Sequence, residues 1–461
     1  MRHTKFALAA VAAAAAAVIA GCGGGSGPRA GDQTPKVKYS AQIVFGDSLS
    51  DIGTYAVGTV KALGGGKFTI NGNNTSVNEA LTGLTWTELL ANQVGLGTQC
   101  PYMTGLEGDA TKGFNVPVAT NTSCNNYAQG GARVTNPVGP GNKATGSALG
   151  ALTVPVAKQI SNHLAKVGGK FKGDELVLVM AGGNDILEGL DELSKNATAA
   201  GTAAGAQTFA TSLVGQLAAG APNPQTAAQS IGLAVASEAA RPGHTDTSVV
   251  QAAVTAAVMA GNTSAGSPAV YGPMVAKAQA DATAAGTKAG ADYAAAHGPD
   301  LVAALGQAGA ELVALVKNQL LANGAKFVVV NNMPDVASTP SGLAQDANTR
   351  TLIGAMVKAF NDQLTNGLAT EANVQLVDVY FVSHDQATNP APYGLTNVKD
   401  PACDLASPKN PLASSLTCNG GNLKAGDVSH YSYADSVHPT PFNHKLLARY
   451  VSEKMALKGW M

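Results

Sequence analysis

Charge is scarce in this chain. Lys, Arg, Asp and Glu together make up 13% of its 461 residues, about half the roughly 25% usual for a soluble domain. The 29 basic and 30 acidic side chains leave a net charge of −1, so there is no basic footprint for nucleic acid and no field to gather an acidic polymer. Closely spaced cysteines are missing too: none of the five stands in a C-x-x-C pair, the spacing a thiolate metal site would show. No repeat of roughly 20–50 residues stands out. The length is large for one domain but does not demand two.

What is present begins with an address. Arg2 and Lys5 precede an apolar stretch, residues 6–20, too short and alanine-rich to span a membrane comfortably. Ile19-Ala20-Gly21-Cys22 resembles a bacterial lipobox, in which the cysteine becomes the lipidated first residue. This predicts a signal peptide over residues 1–21, a lipidated flexible tether over 22–37 and a folded region over 38–461. Cys22 would hold the protein on the membrane of a bacterial cell envelope. Gly23, in place of an aspartate, favours the outer membrane, facing periplasm or surface, or partial secretion. The other four cysteines, Cys100, Cys124, Cys403 and Cys418, suit two disulfides in an exported chain. Three connectivities are open, of which Cys100–Cys124 with Cys403–Cys418 is the simplest.

Apolar runs and helical periodicity then alternate. Strands are predicted at 43–45, 175–180, 326–330 and 374–379, with a short one over 125–132. Helices are predicted at 85–95, 152–167, 301–323, 349–372 and 441–458, and a further helix starts directly after the first strand. Residues 97–123 and 383–428 read as loops. Buried strands separated by helices imply a mostly parallel sheet covered on both faces. Between 194 and 299 the composition shifts to Ala, Gly, Thr and Ser. Helical pieces at 248–260 and 273–285, broken by prolines and glycines, make this a helical insertion on the main domain. So few bulky side chains predict loose packing there.

Four short stretches carry chemistry: GDSLSD at Gly46 to Asp51, NYAQGGA at Asn126 to Ala132, GGND at Gly182 to Asp185, and DSVH at Asp435 to His438. Ser48, just past a buried strand, has a hydroxyl that can attack a carbonyl once a base takes its proton. His438 is the candidate base. Asp435, three residues earlier, can reach the imidazole and fix its tautomer. Asp51 and Asp185 read as helix N-terminal acids. Taken singly, each of these is an ordinary cap or turn residue. In this order and spacing they resemble the GDSL, or SGNH, hydrolase family over nearly all of the chain outside the insertion.

That resemblance implies a three-layer α/β/α, flavodoxin-like hydrolase domain over 38–461, with the insertion at about 194–299. It implies a serine esterase or lipase acting on acyl esters through a Ser48-His438-Asp435 triad. The oxyanion hole would be made by the Ser48 N–H, the Gly131 N–H (Gly130 being the near alternative) and the Asn184 amide. No cofactor and no metal are implied, although His430, His438 and His444 beside Asp435 leave a zinc reading to weigh. The G-x-S-x-G elbow of α/β-hydrolases is absent. The partners expected are a small-molecule or lipid ester and a membrane, with no nucleic acid, and the chain is expected to be a monomer. Carbohydrate O-acetyl esterase activity is the alternative within the family. A catalytically silent lipoprotein binding module is the alternative outside enzymes.

Overall fold

The computed structural model describes residues 37–461. The signal peptide, Cys22 and all of the tether before Val37 lie outside the described residues.

Four short apolar segments build the central sheet: β1 (Gln42–Gly46), β4 (Leu176–Met180), β5 (Phe327–Asn331) and β6 (Val374–Val377). They pair in parallel in the order β1-β4-β5-β6, with Gly46 opposite Met180, Met180 opposite Asn331 and Asn331 opposite Val377. Their carboxyl ends are therefore level. On the free side of β1, the Val44 N–H donates to Asn125 O at 3.0 Å and the Tyr127 N–H to Val44 O at 2.8 Å. Counting that bridge, the order is 2-1-3-4-5, the doubly wound order in which ligands bind beyond the carboxyl ends of the strands, where the order reverses.

β-branched and aromatic side chains on these strands fill both faces. Ile43, Phe45, Val177, Val179, Val328 and Val330 share one apolar cluster. Val44, Leu176, Leu178, Met180, Val329 and Val377 share the other. The α-helices of eight residues or more among the described residues are α1 (Trp86–Gln93), α2 (Val156–Lys166), α3 (Gly183–Ala219), α4 (Pro224–Ala239), α5 (Asp246–Met259), α6 (Pro268–Leu315), α7 (Ala347–Leu368), α8 (Val379–Thr388) and α9 (Pro441–Leu457). The first face is covered by α2, α7 and the last part of α6, through Ile160, Phe360 and Leu312. The second is covered by α1, α8 and α9, through Trp86, Val382 and Val451. Burying each such side chain contributes about 1.5–3 kcal/mol.

The crossover from β4 to β5 is unusual. α3 runs antiparallel to α6: a Cβ at Gly189 would meet Leu301, one at Gly201 would meet Gly286, and Ser212 Oγ donates to Asp281 at 2.7 Å. α6 descends onto the sheet to reach the start of β5, so its antiparallel partner α3 must ascend, away from the sheet. The 37 residues of α3 span about 55 Å at 1.5 Å per residue. An arm therefore projects from the carboxyl edge, tipped by α4 and α5 around Leu213, Leu217, Ile231 and Val254. Among the described residues no side-chain hydrogen bond joins residues 196–296 to the rest of the molecule.

Several local expectations are corrected. No helix starts directly after β1; residues 47–51 form turns, and a short helix comes only at Gly58–Ala62. Residues 97–123 contain an antiparallel hairpin, β2 (Met103–Glu107) with β3 (Asn115–Thr120), whose largely exposed second strand carries little apolar signal. The region 383–428 begins inside α8 and contains β7 (Asn397–Pro401), which pairs with β8 (Tyr431–Tyr433). α6 is one 48-residue helix that continues through Pro273 and Pro299.

Candidate active site

β1 ends at Gly46, where a side chain would strike Met180 O at 2.4 Å. Gln159 clamps this glycine in both directions: its Oε1 accepts from the Gly46 N–H and its Nε2 donates to Gly46 O, each at 2.8 Å. The chain then turns sharply. The Ser50 N–H donates to Asp47 O at 3.1 Å and the Leu49 N–H to Asp47 Oδ1 at 3.0 Å. Burial pushes the Asp47 carboxyl up to about 7, although the Leu49 N–H and His438 pull the other way. The turn leaves the Ser48 N–H without a hydrogen-bond acceptor among the described residues.

Asp51 does not cap a helix, which corrects its sequence assignment. Its Oδ1 accepts from the Gly53 and Thr54 N–H groups at 2.8 Å each, and its Oδ2 accepts from the Gly130 N–H at 2.9 Å. Burial raises its pKa to about 6 against those three donors. The Gly130 N–H is thereby spent. The Gly131 N–H has no acceptor among the described residues, and Gly131 sits at φ +79, where a Cβ would also lie 2.3 Å from Pro140 O. This position requires glycine.

The third stretch is tied to the second. Asn184 Nδ2 donates to Ala132 O at 2.9 Å, which occupies one of its two N–H groups. Asp185 accepts from Arg133 Nε at 2.9 Å and from the Val134 N–H at 3.2 Å. Burial raises the Asp185 pKa, and Arg133 opposes the rise. Asp185 does stand in the first turn of α3. Gly46 and Met180 are paired across β1 and β4, so Ser48 and Asn184 emerge side by side at the carboxyl edge.

The fourth stretch closes over them. His438 Nε2 is 2.9 Å from Ser48 Oγ, and its Nδ1 is 2.9 and 2.8 Å from the two Asp435 oxygens. With Nδ1 donating to the carboxylate, Nε2 is the acceptor for the serine hydroxyl. Asp435 Oδ1 also accepts from the Val437 and His438 N–H groups, and its Oδ2 from the Ser415 N–H at 2.8 Å. Burial alone would raise this carboxyl; His438 and these donors reverse that and hold it well below the usual range. The imidazole lies against Phe68, ring centroids 4.9 Å apart. Thr69 Oγ1 donates to Pro439 O at 2.9 Å.

Ser415 and Phe68 could not be found from sequence, since one acts through its backbone and the other through a packed ring. The disulfides join Cys100 to Cys124 and Cys403 to Cys418. The second braces the His438 loop: the Cys403 N–H donates to Ala434 O at 3.0 Å, one residue before Asp435, and the Ala402 N–H donates to Tyr433 O at 2.8 Å. Ser415 lies on the other arm of the same bridge.

The C-terminal histidines do not converge. His444 Nδ1 accepts from the Trp86 N–H at 3.3 Å, and His430 packs edge-on to Phe442. Among the described residues no three His, Cys, Asp or Glu side chains gather closely enough to hold a metal ion. Burial pushes His444 down to about 3, so it is a neutral core residue.

Two comparisons bear on this arrangement. A GDSL esterase/lipase of Arabidopsis thaliana is 26% identical over 133 residues, 27% of this chain and 35% of that protein. The aligned stretch is thus about a third of the relative's length. A family model described as GDSL-like lipase/acylhydrolase matches residues 43–250 and 278–451. That is well over half of the chain and takes in all four stretches, so the protein belongs to the GDSL-like lipase/acylhydrolase family.

Proposed function

We propose that the protein is a serine esterase or lipase hydrolysing carboxylic esters at Ser48. The observation that carries this is the relay from Ser48 Oγ through His438 to Asp435, with both hydrogen bonds at 2.8–2.9 Å. Ser48 Oγ attacks the ester carbonyl carbon while His438 Nε2 takes the hydroxyl proton. Asp435, ionised and buried, steadies the imidazolium that forms. The proton then passes from Nε2 to the leaving alkoxide, the C–O bond breaks, and an acyl-serine remains. Water, deprotonated by the same imidazole, attacks the acyl-serine, releases the acid and restores Ser48.

The tetrahedral oxyanion is received by the Ser48 N–H, the Gly131 N–H and the second N–H of Asn184. What supports this set is that all three are unspent, whereas the Gly130 N–H is held by Asp51. One such donor is worth about 2.7–4 kcal/mol in the transition state. The address at Cys22 supports an envelope lipoprotein that meets its ester substrate at a membrane. The test is turnover of p-nitrophenyl acetate. Activity should vanish in Ser48→Ala with the fold intact; a Ser48→Ala protein as active as the parent would end this reading.

A further inference from the structure

A groove of about 560 Å³ runs between α8 and α9 on the second face of the sheet, within the size range of small-molecule sites. Its walls repeat at helical spacing. Val382 and Gln386 stand one turn apart on α8, and Leu446, Arg449, Tyr450 and Glu453 follow one face of α9. Neither Ser48, Asn184, Asp435 nor His438 lines it.

Two polar groups there have nothing to bind. Gln386 is only 6% exposed, yet its side-chain amide makes no hydrogen bond among the described residues. The amide reaches the solvent of the groove it lines, so it is open to a partner from there. Arg449 is exposed at the mouth and has no carboxylate partner among the described residues. The other polar groups nearby are occupied: Tyr393 Oη donates to Asp385 Oδ2 at 2.5 Å, Ser452 Oγ to Arg449 O at 2.9 Å, and Glu453 lies 3.6 Å from Lys454.

We infer that this groove binds a monocarboxylate with an aliphatic tail, its head held by Arg449 and the Gln386 N–H and its tail lying along Val382, Leu446 and the Tyr450 ring. A guanidinium presents forked donors that match a carboxylate, and the amide adds a third donor from the wall. Glu453 at the same mouth disfavours a doubly charged anion such as phosphate. Acids of this kind are also what ester hydrolysis releases, but the binding requires no turnover and stands apart from the Ser48 reading.

Octanoate titrated calorimetrically into the full chain tests it. One saturable site is expected, weakened at least about tenfold in both Arg449→Gln and Gln386→Leu, as loss of a hydrogen bond to a charged group implies. Affinity should be retained in Ser48→Ala. Octanol and octylamine should not compete, and octanoate should slow amide exchange over residues 382–386 and 446–453. Arg449 is exposed, and Gln386→Leu keeps the volume while removing an unpaired amide, so both variants should fold. Unchanged p-nitrophenyl acetate turnover checks this independently. No saturable binding overturns the inference, and so does binding that ignores both groove variants and disappears in Ser48→Ala, which would assign the acid to the Ser48 site.

Discussion

The sheet body and the projecting arm solve the same packing problem with opposite materials. In the body, Phe45, Trp86, Ile160 and Phe360 are fully buried and fill the space between sheet and helices. In the arm between α3 and α6 there is almost nothing to fill it with, so the space is removed instead. A Cβ at Gly201 would lie 2.7 Å from Gly286 O, and one at Gly286 would lie 2.8 Å from Gly201 O. Gly205 and Gly290 approach Ala282 O and Ala197 O at 3.2 and 3.1 Å in the same way. Small residues one turn apart let two helix backbones touch. Composition that looks too poor for a core is what close contact requires, and the expectation of loose packing in this region fails for that reason.

If the body alone holds the chemistry, single changes should separate the two regions cleanly. Ser48→Ala and His438→Ala should each lower kcat by about 10³-fold or more, and the double variant should lose little beyond either single one. Excising residues 198–289, with a short Gly-Ser linker joining Ala197 to Gly290, which face one another across the arm, should leave acetate-ester turnover unchanged. Loss of that turnover in a folded excision variant would make the arm part of the site.

Asn184→Ala stands at the junction of the two regions, in the first turn of α3. It should reduce kcat by about 10²–10³ with KM little changed; a change confined to KM would assign Asn184 to substrate binding. Next in size, Gly286→Leu should force α3 and α6 apart at a cost of about 1–3 kcal/mol. Amide exchange should quicken within residues 197–290 and stay as it was in the strands. Faster exchange in β1 or β4 would mean that arm and body unfold as one unit.

The smallest effect concerns acid. Burial holds His163 down to about 4 and His444 down to about 3. Depressed folded pKa values mean that both stay neutral in the fold but protonate in the unfolded chain below about pH 6.5. Their contribution is complete above that pH and is lost as pH falls towards 4, by up to about 1.4 kcal/mol per pH unit for each. Raised carboxyls at Asp47 and Asp51 act oppositely, losing stability as pH rises from about 4 towards 7. Urea unfolding at pH 4.5, 5.5 and 7 should show a shallower acid slope in His444→Gln than in the parent. An identical slope would mean that His444 is already protonated in the fold.

The four chemical stretches were readable because each compresses its role into adjacent residues: strand, glycine, serine in one case, and an aspartate three before a histidine in another. Two of the four, GDSLSD and GGND, also follow strands with an unbroken apolar run. What could not be read were partners distant in sequence. Gln159 clamping Gly46, Asp51 consuming the Gly130 N–H and Ser415 donating to Asp435 join residues 113, 79 and 20 positions apart. The choice of Gly131 over Gly130 depends on the second of these. α8 went unread because a single residue, its N-cap Asp378, separates it from β6, so the apolar residues of strand and helix follow one another with little to mark the change.

Sequence alone determined the alternation of buried strand and helix, the family and the candidate groups, since period and motif are local properties of the chain. Tertiary structure decided which N–H groups are left free and which disulfide braces the His438 loop. It also decided the course of the arm. Whether the segment after β4 folds back over the sheet or rises from it depends on α6, about a hundred residues later, whose last part covers that face, and two helices cannot bury themselves against the same strip of valines.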